Sequence, residues 1–157
     1  MFSGSCAGAG GFPADTWLWN DGDWANVTHL GGGVAPPGRS LAAMAASGDG
    51  VVLFGGYTPI DHSSNDTWLW DPTTGWKDIS HTLAQAPAGR SYHTMQAIEA
   101  GVLLFGGTAR TDEQHDTAIG DTWLFSEASK TWSNLDLESG AAAPYPRCVR
   151  QHLSIRA

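Results

Sequence analysis

Asn65-Asp66-Thr67-Trp68-Leu69-Trp70-Asp71, closed by Pro72-Thr73-Thr74-Gly75-Trp76, is the stretch whose reading decides the fold. Its core is not unique. Asp-Thr-Trp-Leu-Trp also begins at Asp15, and Asp-Thr-Trp-Leu-Phe begins at Asp121, so the copies lie 51 and 55 residues apart. A single tryptophan trails each copy, at Trp24, Trp76 and Trp132. Ahead of the second and third copies stand Leu53-Phe54-Gly55-Gly56 and Leu104-Phe105-Gly106-Gly107, and ahead of those Gly38-Arg39-Ser40 and Gly89-Arg90-Ser91. Pro146-Arg147 has the look of a further beginning. Four markers keeping one spacing define an internal repeat of about fifty residues, the period expected of stacked β-units.

Each unit reads as four short strands. The first follows the arginine, over 40–46 and 91–98. The second is the apolar run Val51–Phe54 or Val102–Phe105, ended by glycines able to take positive φ. The third is Thr67–Trp70 or Thr122–Phe125, and the fourth starts at the trailing tryptophan. Asp71-Pro72-Thr73-Thr74-Gly75 is a turn signal between the last two. Strands two and three are apolar on successive rather than alternate residues, which means both sheet faces are covered. Small sheets stacked face to face around an axis meet that demand. The fold class expected is therefore all-β, a partial β-propeller with two complete four-stranded blades and incomplete flanking ones. Eight tryptophans among 157 residues are read as core, filling the wedges between blades.

Composition agrees. Hydrophobic residues make up 41% and charged ones 15%, enough apolar material to build a core rather than a disordered chain. A net charge of −8 with eight Lys plus Arg leaves no basic patch for phosphates, so neither nucleic acid nor an anionic membrane surface is an expected partner. Cys6 and Cys148 stand at opposite ends and form no Cys-x-x-Cys pair. No export signal or membrane span is legible, and the cytoplasm is the compartment expected.

The order Gly-Arg-Ser, strand, Leu-Phe-Gly-Gly, loop, Asn-Asp-Thr-Trp-Leu-Trp-Asp, Trp resembles the kelch repeat over residues 10–150. The resemblance implies four-stranded blades in rings of six or seven, acting mostly through loops that bind other proteins. Many members serve ubiquitin ligases as substrate adaptors or act as actin-associated scaffolds. One enzymatic branch is similar to galactose oxidase. The units are placed at 1–37 (an incomplete blade lacking its first strand), 38–88, 89–140, and 141–157 as a further beginning or a tail. So few blades cannot close a ring. Either the chain is a segment of a longer protein, or self-association completes the propeller.

Function on such a scaffold sits in the variable loops between strands two and three. The residues expected to touch a protein partner are Tyr57, Asp61 and His62 in one loop, with Arg110, Asp112, Glu113, His115 and Asp116 in the next. Adjacent carboxylates and imidazole in that second loop have metal-ligand chemistry, but ligands contiguous on one loop rarely fix a coordination geometry. Arg39 and Arg90 are expected to pair with a carboxylate, Asp66 or Asp121. His93 occupies the place that Ala42 holds one unit earlier.

No nucleophile elbow, phosphate loop or His-Glu-x-x-His is present. The expectation is a non-catalytic protein-interaction module without cofactor or metal. The alternative is part of a propeller enzyme, galactose-oxidase-like, whose catalytic residues lie outside this chain.

Overall fold

A computed structural model describes residues 11–110 and 115–136. Among the described residues twelve strands form in chain order: β1 (Trp17–Asn20), β2 (Asp23–Asn26), β3 (Ala43–Ser47), β4 (Gly50–Phe54), β5 (Thr67–Asp71), β6 (Gly75–Asp78), β7 (Thr94–Ile98), β8 (Gly101–Phe105), β9 (Thr108–Arg110), β10 (Asp116–Ala118), β11 (Thr122–Ser126) and β12 (Thr131–Asn134). Two antiparallel four-stranded sheets result, β3-β4-β5-β6 and β7-β8-β11-β12, preceded by the two-stranded β1-β2. The register repeats from one sheet to the next: Phe54 faces Ala43 and Thr67, and Phe105 faces Thr94 and Thr122. These are blades of a partial propeller.

The first strands begin later than the sequence suggests. Leu41 and Tyr92 hold φ of 60° and 58°, which breaks extension just after the arginines. Ser40 and Ser91 still bridge to Tyr57 and Thr108. The long loop after β8 also differs from expectation, since β9 and β10 pair as a small hairpin.

The middle blade is covered on both faces, as its unbroken apolar runs imply. Val52 and Phe54 pack against Val102, Leu104, Trp123, Phe125 and Trp132 of the following blade. Leu53, Trp68, Trp70 and Trp76 point the other way, toward Val27 and Ala35 of the first unit. Trp132 sits between two phenylalanines, its ring centre 5.4 Å from Phe54 and 5.1 Å from Phe125, in the tilted arrangements aromatic quadrupoles favour.

A buried guanidinium fastens each complete blade. Arg39 donates to both carboxylate oxygens of Asp66 at 2.6 Å, to the Gly55 carbonyl at 2.8 Å and to the Pro37 carbonyl at 3.1 Å. Arg90 repeats the pattern with Asp121, Gly106 and Ala88. The expected pairing is thus realised within each unit. The same carboxylates accept an indole N–H from Trp68 and Trp123, so the Asp-x-Trp spacing is a local clamp. Burial disfavours the charged carboxyls, but the arginine hydrogen bonds and charge outweigh it and hold Asp66 and Asp121 below their ordinary range.

Glycine precedes each arginine for a steric reason. A Cβ at Gly38 would stand 1.8 Å from the Phe12 carbonyl oxygen, and one at Gly89 would stand 2.1 Å from that of Ser63. Neighbouring units meet there backbone to backbone, leaving no room for a side chain. Gly55-Gly56 and Gly106-Gly107 all take positive φ where β4 and β8 leave their sheets.

One expectation is corrected. Trp19 and Trp24 of the first unit are 54% and 45% exposed, not core. Their counterparts Trp70, Trp76, Phe125 and Trp132 are buried because each faces a preceding unit.

Candidate functional site

The glycine pairs, the arginine-led segments and the loops after β4 and β8 converge at one end of the sheets. There they enclose a groove of about 310 Å³, lined by Phe12, Leu41, Tyr57, His62, Tyr92, Arg110 and neighbouring polar residues. Repetition builds it, since Ser40 and Ser91, Leu41 and Tyr92, and Tyr57 and Thr108 are equivalent positions of adjacent blades. The Tyr92 amide donates to the Leu41 carbonyl at 3.2 Å, joining the two blades at the groove.

Leu41 and Tyr92 decide the character of the surface. Both side chains are open to solvent, 41% and 47% exposed. Both also sit in the left-handed region, which costs a bulky residue on the order of 1–3 kcal/mol. The turn aims a leucine and a tyrosine outward where a buried position would shelter them. Tyr57 lies beside them, its ring 5.7 Å from Phe12 and 5.3 Å from His62. The result is an aromatic and aliphatic rim over hydroxyl groups, including Ser91 Oγ, buried and without a hydrogen-bond partner.

Charge enters from the long loop. Arg110 and Asp116 face each other across β9-β10, their charged atoms 3.9 Å apart, and the Arg110 amide donates to Ser63 Oγ at 2.8 Å from the adjoining blade. Of the residues expected to contact a partner, Tyr57, His62, Arg110 and Asp116 line the groove. Asp61 is exposed beside it but turns its carbonyl inward to the Thr58 amide. His115 is exposed next to β10. Asp112 and Glu113 fall outside the described residues, as do Cys6, Cys148 and Tyr145. Phe12, Leu41, Ser91 and Tyr92 were missed. No local signal marks Leu41 or Tyr92, since neither residue type favours the positive φ each adopts.

His93 is buried between the blades against Phe54, ring centres 5.7 Å apart. Burial, with the Arg90 charge next, lowers its pKa to about 3; the Phe54 carbonyl lies near enough to oppose this slightly. No hydrogen bond of ordinary geometry reaches either ring nitrogen. It is a neutral packing group. Among the described residues no three His, Cys, Asp or Glu side chains gather as metal ligands, and no helix is long and apolar enough to cross a membrane.

The family model of the KLHDC2/KLHL20/DRC7 Kelch-repeats domain matches residues 1–155. The chain belongs to the kelch-repeat family. Kelch domain-containing protein 2 of Bos taurus is 31% identical over 130 residues, covering 80% of this chain and 30% of its own length. Putative adagio-like protein 2 of Oryza sativa subsp. japonica is 33% identical over 128 residues, 79% of this chain and 19% of that protein. The relatives include one named as an enzyme, N-(sulfonatooxy)prop-2-enimidothioate sulfolyase of Thlaspi arvense, 32% identical over 78% of the chain and 35% of that protein. The kelch chain described here spans about a third or less of the relatives it matches.

Proposed function

We propose that this kelch segment is a non-catalytic protein-interaction module whose contact surface is the groove between Leu41, Tyr57, Tyr92 and Arg110. The observation that carries the reading is the pair of large side chains held outward on left-handed backbone. Strain of this kind collects at binding surfaces, where contact with a ligand offsets the solvent-exposed apolar area. Aromatic residues beside an arginine are also the composition of interface hot spots. Among the described groove residues His62, Arg110 and Asp116 are exposed and no nucleophile is hydrogen-bonded to a base, which supports binding over catalysis.

Selection of displayed peptides against the protein tests the proposal. Enriched sequences should lose binding at least tenfold with Tyr92→Ala or Arg110→Ala. They should bind equally well with Glu127→Gln, at the hairpin end of the blades. Peptides indifferent to Tyr92 and Arg110 would place the interaction surface elsewhere.

A further inference from the structure

The backbone around the groove is already committed. Ser40 and Tyr57 exchange amide-to-carbonyl hydrogen bonds at 2.9 and 2.8 Å, and Ser91 and Thr108 do the same at 2.9 and 2.8 Å. The Tyr92 amide is taken by the Leu41 carbonyl and the Arg110 amide by Ser63 Oγ. An added β-strand needs a row of open N–H and C=O groups along an extended edge. These residues offer no such row, and left-handed Leu41 and Tyr92 interrupt the extension.

A docking helix fails on other grounds. It lays a continuous apolar face into an apolar trough, whereas Ser40, Ser63, Ser91 and Thr108 bring hydroxyls into this lining. What the groove does present is rings and hydroxyls. Phe12, Tyr57 and Tyr92 supply the rings, and Ser91 Oγ is buried without a hydrogen-bond partner. Its charged edge is balanced, since Arg110 faces Asp116, so the complementary ligand is an uncharged segment rather than an acidic or basic one.

A polyproline II segment meets all of these conditions. It has no internal hydrogen bonds, so its carbonyls are open to side-chain donors, and its pyrrolidine rings lie against aromatic surfaces. Building on the reading of this groove as the contact surface, we propose that its ligand is an uncharged, proline-rich peptide in the polyproline II conformation. The prolines pack on Leu41, Tyr57 and Tyr92. The peptide's carbonyls accept from the Tyr57 hydroxyl and from Ser91 Oγ.

Peptides selected by display against the whole chain test this. Those that bind through Tyr92 should carry prolines at i and i+3, the spacing of one polyproline II turn. Replacing those prolines with alanine should weaken binding about tenfold. Tyr57→Phe and Ser91→Ala, which remove only a hydroxyl, should each weaken it about fivefold, with circular dichroism unchanged. Peptides that need Tyr92 but tolerate loss of every proline overturn this ligand while leaving the contact surface in place. Proline-dependent binding that neither hydroxyl deletion weakens also overturns it. Peptides indifferent to Tyr92 overturn both the ligand and the surface.

Discussion

Trp132 Nε1 donates to the hydroxyl of Thr67, 65 residues earlier in the chain, and by that bond the third tryptophan motif is fastened to the second. Trp132 is 1% exposed and Thr67 is fully buried, so the bond lies inside the wedge between blades. Trp132→Ala is expected to cost about 3–5 kcal/mol, the loss of a large aromatic that its surroundings cannot close over. Thr67→Val, which keeps the shape and orphans the indole N–H, should cost about 1–3 kcal/mol. Chemical denaturation followed by circular dichroism measures both. A Trp132→Ala loss below about 1 kcal/mol would mean that the ring is not holding the blades together.

The guanidinium clamps set a second expectation. Arg90 is fully buried, and removing its charge strands Asp121, half-buried and tied to Trp123. Arg90→Met should therefore destabilise by about 3 kcal/mol, and Arg90→Met with Asp121→Leu should recover much of that loss. A double variant no more stable than Arg90→Met would contradict the pairing.

Acid should weaken the fold through the same groups. Asp66 and Asp121 bind protons less readily folded than unfolded, whose ordinary value is 3.8. Their contribution is complete above that value and is lost as the pH falls through the depressed folded values. The midpoint of urea unfolding, followed from pH 6 to pH 2, should drop most steeply below about pH 4. A midpoint unchanged over that interval would mean that the carboxylates are not held by their arginines.

His93 acts earlier in the descent. Its folded pKa is about 3 against an ordinary 6.5, so below 6.5 the unfolded chain takes up a proton that the folded chain refuses. Stability should decline from pH 6.5 toward 3 on this account, and His93→Leu should flatten that part of the profile. Since neither ring nitrogen is hydrogen-bonded, the substitution should itself be neutral or stabilising at pH 5. An imidazole resonance titrating near pH 6.5 would show that His93 is exposed.

Much of the fold was legible because it repeats. One spacing held four markers, and side-chain chemistry then assigned the rest: unbroken apolar runs announced two covered faces, and a recurring arginine announced a buried carboxylate partner. What repetition cannot report is the neighbour that a given copy meets. Trp19 and Trp24 are spelled like Trp70 and Trp76, yet they lie exposed, since burial depends on the unit packed against them. The loop residues Tyr57, His62, Arg110 and Asp116 could be read from their variability within the frame. Leu41 and Tyr92 could not, because neither residue type favours positive φ and nothing local marks the turn. The β9-β10 hairpin escaped for the opposite reason, its polar residues carrying no strand signal.

Exchange of the indole Nε1 protons, followed residue by residue by NMR in deuterated water, tests most directly whether the tryptophans join the blades. Trp76 and Trp132, hydrogen-bonded to threonine in the neighbouring unit, should exchange slowest, and Trp19 should exchange fast. Rapid exchange at Trp76 and Trp132 would contradict the account.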